Sequence, residues 1–181
     1  QNVSVDLSKI FTKSTINLEN EKAIFKSYRL SEKLVKDFNL NVRYIYKGNV
    51  KESYNYTPPF LVSYKNSNDS IYENLKYTIT ITKTGYSIID EKSGEKYNKN
   101  GYWMYNSVKK FPITIQPAAN HNIMNSVGKS YIVSLIPIKA ATLHLSNSIS
   151  VGQTEKGSDI LNLSITGPDG KHSELILNAL I

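Results

Sequence analysis

Apolar and polar residues along the chain alternate in short strand-like runs, interrupted by three stretches with helical spacing. Val3, Val5 and Leu7 alternate like a short strand that Ser14 and Thr15 end. A long helix is predicted over residues 17–38. Asn17 is its N-cap, Glu19 and Glu21 complement the positive end of its dipole, and Ile24, Tyr28, Ser31, Val35 and Phe38 trace one face beside Ser27, Leu30 and Leu34. Asn39 can close it. Residues 40–47 then read as a strand with Val42, Tyr44 and Tyr46 on one side, turned by Gly48 and Asn49.

Pro58 and Pro59 introduce a strand over residues 60–64, and residues 66–70 form a polar loop. Residues 77–81 and 86–89 make a hairpin, and residues 90–100 are charged and turn-rich. Further strands are expected at 112–115 and 131–136. Pro137 opens a second helix, lined by Ile138, Ala141 and Leu145, at the position where its missing amide costs nothing. Residues 149–153 pair with a strand in which Leu161, Leu163 and Ile165 alternate with Asn162, Ser164 and Thr166. The break 167–170 ends it. Leu175, Ile176, Ala179 and Leu180 then return to helical spacing from Lys171 onward, with Asp169 placed to cap, and no stop signal precedes Ile181. The expectation is a helix cut short in a piece of a longer protein.

At 181 residues the chain suits one domain burying roughly 70% of its unfolded surface. No apolar run approaches the roughly 20 residues of a membrane helix, and the N-terminus lacks the basic region and apolar core of a signal peptide. The absence of cysteine excludes disulfides and thiolate metal sites and leaves the compartment open. A net charge of +7 would suit an anionic partner. The cations are scattered, almost all lysine with only Arg29 and Arg43, which points away from nucleic acid.

No catalytic constellation emerges, and no cofactor is implied. Gly128, Lys129 and Ser130 resemble the end of a nucleotide-binding loop, but Ile123 stands where the motif needs glycine, and a strand follows instead of a helix. His121, His144 and His172 sit in separate segments without metal-ligand spacing. Two features keep a binding reading beside a plain one. Lys22, Lys26, Arg29, Lys33 and Lys36 recur along the first helix as a basic stripe, which is a solvated face or a surface for acidic glycan or lipid headgroups. Tyr102, Trp103 and Tyr105 beside Gly101 are packing residues or an aromatic platform that stacks on a sugar.

Three tail segments carry a resemblance: Thr142-Leu143-His144-Leu145-Ser146-Asn147-Ser148-Ile149-Ser150-Val151, then Glu155-Lys156-Gly157-Ser158-Asp159-Ile160-Leu161-Asn162-Leu163-Ser164-Ile165-Thr166-Gly167, then Leu175-Ile176-Leu177-Asn178-Ala179-Leu180-Ile181. Upstream, Lys26-Ser27-Tyr28-Arg29-Leu30-Ser31-Glu32-Lys33-Leu34-Val35 followed by Leu40-Asn41-Val42 belongs with them. Together they resemble the polysaccharide co-polymerase family: chain-length determinants and the periplasmic parts of exopolysaccharide tyrosine autokinases. The resemblance implies that residues 1–181 are a membrane-proximal domain on the periplasmic face of the bacterial inner membrane. Transmembrane segments and a helical excursion outside this chain would tether and extend it. It further implies a homo-oligomer that governs polysaccharide length and export with a polymerase and an outer-membrane export channel. Any kinase would be a separate cytoplasmic domain.

The expected fold is a single α+β domain, a mixed twisted sheet with helices packed on it and the C-terminal helix truncated. The expected function is a non-catalytic scaffold; the alternative is a secreted carbohydrate-binding module using Tyr102, Trp103 and Tyr105. A hydrolase would need an acid–base carboxylate pair that the sequence does not offer.

Overall fold

A computed structural model describes residues 8–48, 51–65, 71–100, 106–107, 110–119, 121–153, 160–167 and 170–180. Helices and antiparallel sheets make the chain α+β, the class its patterning predicts. It groups into two compact units, one of Phe38–Ala141 and one of Gln1–Asp37 with Thr142–Ile181.

The first unit is built from strands: β1 (Val42–Lys47), β2 (Glu52–Tyr54), β3 (Phe60–Tyr64), β4 (Leu75–Thr82), β5 (Gly85–Asp90), β6 (Lys96–Asn100), β7 (Asn106–Ser107), β8 (Ile113–Pro117) and β9 (Ser130–Leu135). They form a six-stranded sheet in the order β2-β1-β9-β4-β5-β6 and a three-stranded sheet in the order β3-β8-β7. A mixed sheet was expected, but every pairing among the described residues is antiparallel. The reason is that β9, late in the chain, enters between β1 and β4 and runs opposite to both, while hairpins make the remaining joins of this sheet.

Alternation then decides the core. Tyr131 of β9 lies opposite Tyr46 on one side and Ile79 on the other, and Ile79 lies opposite Ile88. One face of the large sheet therefore carries Val42, Tyr44, Tyr46, Tyr131, Val133, Leu135, Tyr77, Ile79, Ile81, Tyr86 and Ile88. Phe60 and Val62 of β3 and Ile113 and Ile115 of β8 join them in one apolar cluster. Tyr44 also ties the sheets by a polar contact, its hydroxyl accepting the Val62 amide at 2.8 Å.

Local chemistry explains the turns. Gly48 ends β1 because a Cβ there would stand 2.6 Å from the Lys51 carbonyl oxygen. After β5, Asp90 Oδ1 accepts from the Lys92 amide at 2.8 Å and the Ser93 amide at 3.4 Å, and Gly94 takes φ 71°. Within the charged stretch 90–100, β6 is a strand that hydrophobic patterning does not reveal. Tyr97 is its one apolar residue, and the β5 ladder recruits the rest. The loop expected at residues 66–70 lies outside the described residues.

The second unit contains α1 (Ser8–Phe25), α2 (Tyr28–Asp37), the hairpin β10 (Ile149–Gln153) and β11 (Leu161–Ile165), and α4 (Gly170–Leu180). Helix α3 (Ile138–Ser148) spans the sequence boundary between the units and begins after Pro137, whose carbonyl accepts from the Ala141 amide at 3.0 Å. Ile138, Ala141 and Leu145 are buried on it, as their spacing predicts. The hairpin pairs Ile149 with Ile165 and Val151 with Leu163, placing apolar residues on one face. On α4, Ile176 and Leu180 are buried one turn apart, while Leu175 and Ala179 are exposed.

The N-terminal expectations need correction. Ser14 and Thr15 lie inside α1 and do not end a strand, Asn17 is an exposed mid-helix residue and not a cap, and Val3, Val5 and Leu7 lie outside the described residues. The single helix over 17–38 is two helices. Asn39 does close the second, at φ 50°, in the left-handed region that asparagine tolerates.

Candidate functional site

The break between α1 and α2 decides what becomes of the basic stripe. The Lys26 amide donates to the Lys22 carbonyl at 3.1 Å, the last regular turn of α1, and the Ser27 amide then bonds to Ile24. Ser27 Oγ accepts from the Leu30 amide at 3.2 Å, and its carbonyl accepts from the Ser31 amide. Ser27 is thus the N-cap of α2, satisfying an amide that has no partner within the helix. On α2 the buried face is Ser31, Leu34 and Val35, whereas Ile24, Tyr28 and Phe38, placed on the same expected stripe, are 61%, 42% and 38% exposed.

The five cations therefore do not form one stripe. Lys22 lies on α1 and pairs with Glu19 at 2.6 Å. Lys26 sits in the break, its carbonyl accepting from Ser146 Oγ at 3.3 Å. Arg29, Lys33 and Lys36 remain on one face of α2, and Lys36 pairs with Glu32 at 3.4 Å. Ser27, Arg29, Leu30, Glu32, Lys33, Lys36 and Asp37 line an open groove of about 510 Å³. Two carboxylates among its walls make it a mixed-charge surface. Among the described residues Lys26, Arg29 and Lys33 have no ion-pair partner.

The aromatic trio Tyr102, Trp103 and Tyr105 lies outside the described residues. The lookalike Gly128-Lys129-Ser130 is a turn with Gly128 at φ 82° that leads into β9. His121, in a loop, and His144, on α3, are both exposed, and among the described residues no three His, Cys, Asp or Glu side chains gather as metal ligands.

No known protein-family model matches this sequence, and no curated protein matches it significantly.

The largest titration shifts belong to packing. Burial pushes the Tyr44 phenol up to about 12 against the opposing pull of the Val62 amide. Tyr77 rises to about 12 through burial, then Asp90, Tyr64 and Glu73; Tyr86 does so through burial and Tyr97. Lys92 is raised by its exposed partner Glu73, 2.7 Å away. The residue that sequence reasoning missed is Ser27, assigned to a helix face beside its apolar stripe. The signal was its type, because serine in a helix competes for backbone amides. Ser27→Ala is expected to cost about 1 kcal/mol through loss of the cap, seen as a lower urea midpoint at unchanged slope; an unchanged midpoint would remove the capping role.

Proposed function

We propose that this chain is a non-catalytic scaffold domain on the periplasmic face of a bacterial inner membrane, controlling the length and export of capsular polysaccharide or exopolysaccharide by homo-oligomeric assembly. One feature of the fold supports the reading. The stretches that carry the family resemblance are far apart in sequence yet adjacent in space. Ser146, in the segment 142–151, donates through its hydroxyl to the carbonyl of Lys26, in the segment 26–35, at 3.3 Å.

In this reading copies of the chain assemble side by side and face the growing polymer, the polymerase and the outer-membrane export channel. Lys26, Arg29 and Lys33 are the cations left for an acidic glycan. Deleting the gene in its own organism and sizing the surface polysaccharide on gels tests the proposal. The expected result is a collapse or broadening of the length distribution, restored by the full-length gene. An unaltered distribution would sink it.

A further inference from the structure

We propose that one end of the six-stranded sheet, carrying Lys47, Lys51, Lys83 and Lys129 in a row, binds the carboxylates of a linear acidic polysaccharide. The whole net charge of +7 belongs to the strand-built unit, residues 38–141, since acidic and basic residues are equal in number over the rest of the chain. Strand pairing then sorts that charge between the two ends of the sheet.

Lys47 closes β1 and lies opposite Ser130, the first residue of β9, which in turn lies opposite Thr80 near the end of β4. That end therefore gathers Lys47, Lys51 from the β1–β2 turn, Lys129 just before β9 and Lys83 from the β4–β5 turn. All four are exposed, and among the described residues none of them has an ion-pair partner. Glu52 is the one acid among the described residues at this end. Glu73, Asp90, Glu91 and Glu95 all sit at the opposite end, where Glu73 pairs with Lys92 and Glu95 with Lys110. Across the lysine end the strands run β2-β1-β9-β4-β5, so Lys51, Lys47, Lys129 and Lys83 follow one another roughly one strand apart. Strand spacing is about 5 Å, inside the Debye length of about 8 Å at physiological salt, and the potentials of such neighbours add.

A row selects a chain of charges. A lysine ammonium is a compact charge on a flexible stem and meets carboxylates at varied angles, whereas the fixed fork of arginine suits phosphate. Arg43, the one arginine of this unit, lies near the start of β1 at the other end. A bilayer surface is held by charge together with apolar side chains that enter it. The described residues of these turns, Gly48, Lys51, Lys83, Thr84, Gly128 and Lys129, offer none, nor do they offer the aromatic rings on which single-stranded nucleic acid stacks. The inference rests on the scaffold reading only in taking the polyanion to be a polysaccharide. Direct binding tests it, whereas sizing of the surface polymer tests that reading.

Titrating fluorescein-labelled polygalacturonate with the purified chain, followed by anisotropy, provides the test. The chain should bind this polymer with an affinity that falls as salt rises, and should not bind neutral dextran. The variant combining Lys47→Gln, Lys51→Gln, Lys83→Gln and Lys129→Gln should bind about tenfold more weakly, the sum of four modest exposed contacts. A charge-matched variant at the opposite end, Arg43→Gln, Lys76→Gln, Lys92→Gln and Lys96→Gln, should change the affinity less than about twofold. Circular dichroism checks that both variants are folded. Equal weakening by the two variants overturns the inference, because net charge alone would then account for binding. So does a failure to bind polygalacturonate at low salt. Displacement of the polymer by phosphatidylglycerol vesicles or by oligothymidylate at a lower concentration of charge overturns it too, and would assign the row to a membrane or to nucleic acid.

Discussion

Replacing Phe60 with alanine lowers the stability of the strand-built unit by about 3–5 kcal/mol, the range for emptying a fully buried aromatic site. Phe60 is 0% exposed, and its ring meets Tyr131 edge-on at 5.4 Å and Tyr44 at 6.0 Å. Phe60 comes from β3 in the small sheet, whereas Tyr44 and Tyr131 come from adjacent strands of the large one. Its removal therefore opens a cavity between two layers that are already held by β-ladders and cannot collapse freely. For a fold whose total stability is about 5–15 kcal/mol, the loss is a large fraction. Urea unfolding followed by circular dichroism measures it. A midpoint shift equivalent to less than 1 kcal/mol would show that the two sheets do not depend on this ring.

Alkali is expected to destabilise the strand-built unit between pH 10 and 12. Tyr44, Tyr77 and Tyr86 all have phenols raised from 10.0 to about 12, with burial the first cause in each. A raised value for an acid means that the native state holds the proton more tightly than the unfolded state does. The associated stability is complete below the unfolded value of 10 and is lost as pH rises through the folded value near 12. For the partly buried Tyr44 a shift of this size corresponds to at most about 3 kcal/mol. Phenolate absorbance and near-ultraviolet circular dichroism, recorded together over this range, check the prediction. The last tyrosines should ionise as the dichroism collapses. Complete ionisation with the dichroism intact would contradict it.

Wherever a segment was strongly periodic, its element was legible in the sequence. Tyr77, Ile79 and Ile81 declared β4, Tyr131 and Val133 declared β9, and Pro137 announced α3. Strand β6 was hidden because a sheet edge needs only a backbone to pair with, and Tyr97 alone carries its apolar pattern. The helix break was hidden because apolar spacing is nearly continuous across Ser27, while the cap depends on a single hydroxyl. The same break divides the basic stripe between two helices. Once the helix divides, spacing along the sequence no longer sets direction in space, and Lys22 and Lys36 are drawn to neighbouring carboxylates. The lysine row at the sheet end carried no signal, because Lys47, Lys51, Lys83 and Lys129 come from three separate turns.

The sequence by itself determined the α+β class, most strand and helix positions and, for β1 and β11, which residues share the apolar face. Those properties follow from local periodicity and turn chemistry, which act within a few residues. Only the tertiary structure decided that β9 inserts between β1 and β4, that the pairing is antiparallel, and that Tyr44 and Phe60 join the two sheets. Strand order is chosen by contacts between residues tens of positions apart, and each apolar face could have satisfied its burial against several others. The choice rests on side-chain fit and on amide partners such as that of Val62, which exist only once the whole chain has folded.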